Sequence, residues 1–278
     1  MHSFSFQRWS LLVAKHWAEN KKRYLLSIAA IFALITFWFT FLLLVNDEDP
    51  MSKNMQAGAY FVSLFGIGCL YAGTFFNPLN SRSKGTFYLL TPASSLEKLL
   101  TALLFTVVFF FVVFVGVFYL SNFIMINIAN TIHPFYTQPG NNGVIPQAEM
   151  FNVFYEIGPG EDAINFPIYA LLAFFALQAA FLLGSVYFGQ FGIVKTAIAL
   201  FVLFLAVSFA EGYLFHLILP NGDHQEGLGS FLTYEAGKPV NLVMLPTWVD
   251  NTLSFVLKFA FAPLFWVVTF YRLTEKEI

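Results

Sequence analysis

Six stretches of this 278-residue chain run for about 20 residues with almost no charge, the length a helix needs to cross the hydrocarbon core of a bilayer. They lie at about residues 24–45, 57–76, 99–126, 168–188, 196–219 and 253–271. Four carry no Asp, Glu, Lys or Arg; Glu211 interrupts the fifth and Lys258 the sixth. The expected fold is therefore all-α, a polytopic membrane protein of six transmembrane helices. Composition agrees: charged residues are 11 %, against about 25 % in soluble domains. With 14 basic against 16 acidic residues there is no cationic surplus to neutralise phosphates, which excludes nucleic acid as a partner. The 37 Phe rule out a disordered chain but do not imply a lipid cargo, because Phe lines lipid and helix contacts equally well. The single cysteine, Cys69, lies in an apolar run and cannot form an internal disulfide.

Residues 1–20 lack an uninterrupted apolar h-region and a small-residue cleavage site, so they are expected to stay in the mature chain. Read as a helix, Phe6, Trp9, Val13 and Trp17 form an apolar stripe, with Arg8 and Lys15 on the opposite face. That pattern suits a helix lying in the membrane interface on the lipid bilayer; the alternative is a soluble helix packing its stripe on a neighbour. Residues 21–278 form the six-helix domain. In its second span Gly58, Gly66, Gly68 and Gly73 are expected to allow close helix approach. Loops of about 40 and just over 30 residues follow the third and fifth spans, and no internal repeat is evident.

Basic residues gather on the cytoplasmic side of short connections. With the N-terminus inside, Arg8, Lys15, Lys21, Lys22, Arg23, Arg82, Lys84, Lys98, Lys195, Arg272 and Lys276 are cytoplasmic. Only Lys53 and Lys238 then lie outside. Both termini are expected in the cytoplasm.

The richest cytoplasmic segment, residues 82–98, reads Arg-Ser-Lys-Gly-Thr-Phe-Tyr-Leu-Leu-Thr-Pro-Ala-Ser-Ser-Leu-Glu-Lys. Gly85 permits a turn, 86–90 can form a short helix bearing Phe87, Leu89 and Leu90, and Pro92 stops it. Ser94 and Glu97 have capping-box spacing just where the third span begins. A short apolar-faced helix at the membrane surface can dock into a partner; the same residues also suit a well-capped re-entry turn.

Gly85-Thr86, the Leu89-Leu90 pair, Pro92, a following serine and Lys98 resemble the segment between the second and third spans of ABC-2 type exporter permeases. The resemblance is strongest to the short permeases of Bacteroidota, which also look similar at Gly184-Ser185-Val186-Tyr187-Phe188 with Lys195-Thr196, and at 271–276. Ser83 and Lys84 replace the acidic residues often found before the glycine-threonine pair, and the gap to the proline is shorter. The resemblance implies a bacterial inner-membrane permease subunit that is not itself an enzyme. Its coupling residues would be Arg82, Gly85, Thr86, Phe87, Leu89, Leu90, Pro92 and Lys98. It would carry no cofactor of its own, a partner ABC ATPase binding ATP and Mg, and would pair with a second permease copy or a paralogue. No G-x-x-x-x-G-K-[ST] phosphate loop occurs in the chain.

Two other classes stay open on the residues alone: a non-transporting membrane assembly or sensor protein, and an intramembrane hydrolase. Glu211, His216, Asp223, His224 and Glu226 cluster near the end of the fifth span, but their spacing fits no metal site and suits a solvated loop. Gly227-Leu228-Gly229-Ser230 reads as a flexible turn. An ionisable residue at the centre of a membrane helix costs about 2.5–3.5 kcal/mol. Glu211 and Lys258 fall at about 12 and 7.5 Å from the outer ends of their spans, so they are expected to pair between the fifth and sixth spans; the alternative is that each snorkels to the interface.

Overall fold

The computed structural model describes residues 4–45, 51–132, 148–153, 166–218, 222–224, 230–233, 241–244 and 247–277. Among these, α1 (Phe6–Val45) and α2 (Lys53–Thr74) lead through a 3₁₀ turn (Asn77–Asn80) to the short α3 (Arg82–Leu89). Next come α4 (Ser95–Leu103), a π segment (Leu104–Phe109) and α5 (Phe110–Ile132), which together make one continuous helix. The chain continues through α6 (Phe166–Tyr187), α7 (Gly192–Ile218), α8 (Thr247–Phe259) and α9 (Phe261–Glu277). Five helices are long and apolar enough to cross a membrane: α1, α2, the combined Ser95–Ile132, α6 and α7.

Two expectations are corrected. The interface helix and first span are one 40-residue helix. No Gly or Pro occurs between Phe6 and Val45 to break it, and its length of about 60 Å is twice the hydrocarbon thickness. The sixth apolar segment, in contrast, is divided at Ala260 into α8 and α9. Pro263 has no N–H to offer the Phe259 carbonyl four residues back, and its ring clashes with that carbonyl. Backbone bonds from Ala260 to Val256 and from Leu264 to Ala260 keep the two pieces in sequence.

The helical class holds for the apolar part of the chain. Between α7 and α8 lies a small antiparallel sheet of β1 (Gly222–His224), β2 (Ser230–Thr233) and β3 (Asn241–Met244), in the order β1-β2-β3.

The core has two apolar clusters. One surrounds Phe39, Tyr60, Phe114, Phe118 and Phe174; the other holds Ala72, Phe76, Leu99, Ala102, Leu182 and Leu273. Gln178 and Thr106 sit where one cluster gives way to the other along α6 and the long helix. The Gln178 amide donates to the Thr106 carbonyl at 2.5 Å, inside the π segment where regular α-helical bonding is interrupted. Of the four glycines in α2, Gly68 and Gly73 are close-approach positions: a Cβ on Gly68 would lie 2.5 Å from the Phe174 ring, and one on Gly73 2.9 Å from Ile193. Gly58 and Gly66 face open space, so the expectation is half met.

Candidate functional site

Between α2 and α4 the chain makes a compact turn around α3. Gly85 does not form the expected turn but lies inside α3, where a Cβ would come 3.2 Å from the Leu79 carbonyl. The glycine therefore lets α3 sit directly on the 3₁₀ turn. Pro92 follows the helix end at Leu89–Leu90, and the capping box is formed: Ser94 accepts from the Glu97 N–H while Glu97 accepts from the Ser94 N–H at 2.9 Å.

Lys98 does not offer itself to a partner chain. It is 1 % exposed; its ammonium donates to the Leu89 carbonyl at 3.2 Å and lies 5.6 Å from the Tyr88 ring centre. A cation on the last carbonyls of a helix satisfies free acceptors and complements the dipole, so Lys98 clamps α3 onto the start of α4. Leu89 is half-buried by the same arrangement. What α3 presents outward is Phe87 and Leu90, 76 % and 73 % exposed, flanked by Thr86 and Pro92. Leu96, on the first turn of α4, is also exposed. Its apolar side chain beside a capping box was the available signal. The side chain of Arg82 lies outside the described residues.

Glu97 carries a second connection that spacing alone did not reveal. Fully buried, it accepts from the Ser5 N–H at 2.8 Å and from the Arg8 guanidinium at 3.0 Å, tying the start of α1 to the start of α4. The face of α1 that packs inward is consequently the polar one, with Arg8, Leu12, His16 and Asn20 half-buried. Of the expected stripe, Phe6 and Trp17 are exposed and Trp9 and Val13 half-buried. The stripe is thus divided, Phe6 and Trp17 outward and Trp9 and Val13 partly covered by the protein.

Behind α3, this inward face of α1 borders a cavity of about 320 Å³. Its walls come from α1, the end of α2, α3 and α4, including Lys15, Glu19, Arg23, Tyr71, Phe75 and Lys98. His16 Nε2 lies 2.6 Å from the Tyr24 hydroxyl and the ring stacks on Phe75. Tyr24 is itself stacked between Trp17 and Phe105.

At the other end of the helices Gln56 is a buried hub. Its amide donates to the Met51 and Glu149 carbonyls, and its oxygen accepts from Asn122 and from the Phe151 N–H. Asn130 exchanges two bonds with Ala148. Residues 148–153 are thereby strapped across α2 and α5. On the surface, Lys53 pairs with Glu149 at 2.6 Å and holds that carboxyl below its ordinary range.

Lys258 lies over the Tyr169 ring, 4.9 Å from its centre, at the start of α6. Glu211 falls on α7, but its side chain lies outside the described residues, as do Glu226 to Gly229 and the side chains of His216, Asp223, His224 and Ser230. Gly184 and Thr196, both in the stretch resembling the permeases, meet in the hairpin between α6 and α7; a Cβ on Gly184 would lie 2.8 Å from the Thr196 Cβ. Compared with protein-family models, curated proteins and solved structures, the chain matches none.

Proposed function

We propose that the chain is the permease subunit of an ATP-driven ABC-2 type exporter, seated in a bacterial inner membrane with both termini cytoplasmic. The observation that carries this reading is the exposed Phe87–Leu90 surface on a helix whose every other attachment is internal. Gly85 seats α3, Lys98 caps it, and the capping box joins it to a spanning helix, so a push on Phe87 and Leu90 is passed on rather than absorbed. The resemblance of residues 82–98 to a coupling segment gives that surface its partner, a separate ABC ATPase holding ATP and Mg.

In this reading α8 and α9 together are the sixth crossing. They accompany α6 from end to end: Lys258 meets Tyr169 at one end and Lys276 donates to the Val186 carbonyl at the other. The continuous helix from Ser95 to Ile132 links the two ends of the bundle, since it carries Glu97 and Lys98 near α3 and Asn122 beside Gln56. Closure of the ATPase would shift α3, and the long helix would carry that shift toward the strap at 148–153. A second permease copy or a paralogue completes the path.

The test is a Phe87→Asp, Leu90→Asp double variant. Copurification of an ABC ATPase with the tagged permease should be lost while the variant keeps its size-exclusion profile. Undiminished ATPase recovery would remove α3 as the docking element, and a permease that recruits no ATPase at all would remove the transporter reading.

A further inference from the structure

The cavity behind α3 is bounded on one side by the inward face of α1. Among its described lining residues are three cations, Lys15, Arg23 and Lys98, and one carboxylate, Glu19. Lys15, Glu19 and Arg23 follow one another at intervals of four, so they share one helical face and line the mouth together. Lys15 and Arg23 are exposed there, and the Arg23 guanidinium reaches the Thr74 hydroxyl by a long bond of 3.4 Å. Lys98 lies deeper. The rest of the wall is mixed, with the rings of Tyr24, Tyr71 and Phe75 beside the polar His16, Asn20 and Thr74, and the exposed Trp17 stacks on Tyr24 beside it.

A mouth lined by Lys15 and Arg23 and backed by aromatic rings, where the N-terminal half of α1 meets the ends of α2 and α4, matches the chemistry of a phospholipid headgroup. The charges take up a phosphate through charge-assisted hydrogen bonds, arginine in a two-pronged fashion. Aromatic side chains sit at headgroup level, and basic pockets between spanning helices take anionic headgroups. The volume is that of a small-ligand site.

We propose that this cavity binds the phosphate of an anionic phospholipid, held at the mouth by Lys15 and Arg23. A bound headgroup touches α1, the end of α2 and α3 at once, and so fixes the short helix against the N-terminal one. The site does not depend on the transporter reading, because every residue in it belongs to this chain.

The full-length chain, purified in maltoside detergent, would be titrated with phosphatidylglycerol, with phosphatidylcholine and with inorganic phosphate, and bound lipid read by native mass spectrometry. Saturable phosphatidylglycerol binding is expected. A Lys15→Gln, Arg23→Gln variant should weaken it about tenfold or more, whereas Lys21→Gln, Lys22→Gln, which removes the same charge away from the cavity, should leave it unchanged. Inorganic phosphate that displaces the lipid supports a phosphate site open to soluble esters as well; failure to displace it assigns the site to the lipid. Equal loss in both double variants, or equal binding of phosphatidylcholine, would overturn the proposal by reducing it to general attraction. Thermal unfolding of each variant without lipid checks that the comparison is made on folded protein.

Discussion

Neighbouring helices α6 and α7 are both strongly apolar, α7 the more so, with a mean hydropathy of 2.4 against 1.9 over their spanning windows, yet 44 % of the first window is buried inside the protein and only 6 % of the second. Apolarity does not decide which of them packs, because lipid tails are as apolar as a leucine and give no hydrophobic reason to pack. The contacts that a buried amide and one close-packed glycine make with neighbouring helices do. Gln178 and Ser185 are buried in α6 with hydrogen-bond partners, and Gly184 admits Thr196. Beyond Thr196, α7 presents Phe201, Val202, Phe204 and Phe209 outward. Small residues alone do not decide packing, since α7 carries Gly, Ala, Ser and Thr as often as α6; what α6 adds is a buried amide bonded to a neighbouring helix and a glycine whose space a neighbour fills.

The strongest way to break this comparison is Gly184→Ala. The added methyl overlaps Thr196, which stands on a β-branched and therefore stiff side chain, and overpacking of this severity costs about 3 kcal/mol. The folded size-exclusion peak should collapse, and adding Thr196→Ala should restore part of it. Gln178→Leu comes next. It raises apolarity but leaves the Thr106 carbonyl without its donor, a loss of about 1–3 kcal/mol visible as lower thermal stability in detergent. A neutral or stabilising result would mean that polar contacts do not hold α6. Phe204→Ala on α7 should change stability by less than about 0.5 kcal/mol, and a loss as large as that of Gln178→Leu would show that α7 is covered by protein.

The smallest effect should come from a polar contact that is not buried, the Lys53–Glu149 pair. Because Lys53 lowers the Glu149 pKa, the contribution is present above the usual carboxylate range and fades as pH falls through the lowered value. Glu149→Gln should therefore differ slightly from the parent in unfolding temperature at neutral pH and converge with it in acid, with the difference shrinking in salt.

The same contrast explains what the sequence made legible. Charge-free runs marked α2, α6 and α7 to within a few residues, since hydropathy registers the bilayer directly. Ser94 and Glu97 announced the start of α4 because capping is a local, short-range interaction. The break at Ala260 escaped, because Pro263 acts on a carbonyl four residues away and leaves the hydropathy of the segment unchanged. The resemblance places Lys98 among the coupling residues, and neither it nor the charge reveals that the ammonium satisfies the Leu89 carbonyl. Arg8 and Glu97 meet across almost ninety residues, a pairing no local spacing encodes.

The π segment at Leu104–Phe109 has a bearing on how the third span tolerates change in length. Buried positions on this helix recur at 102, 106, 110, 114 and 118, every fourth residue. A strict α-helix advances 3.6 residues per turn, so such a series would drift around the axis by about 40° at each step. One wide turn absorbs most of a residue and keeps the series in phase. Deleting a single residue between Leu104 and Phe109 would remove the wide turn, restore ordinary α bonding and leave Phe114, Phe118 and Asn122 close to their present phase, whereas a deletion between Phe110 and Phe114 would rotate everything after it by about 100°. Outside this interval the helix has no such reserve, and length variation there would have to be matched by its neighbours.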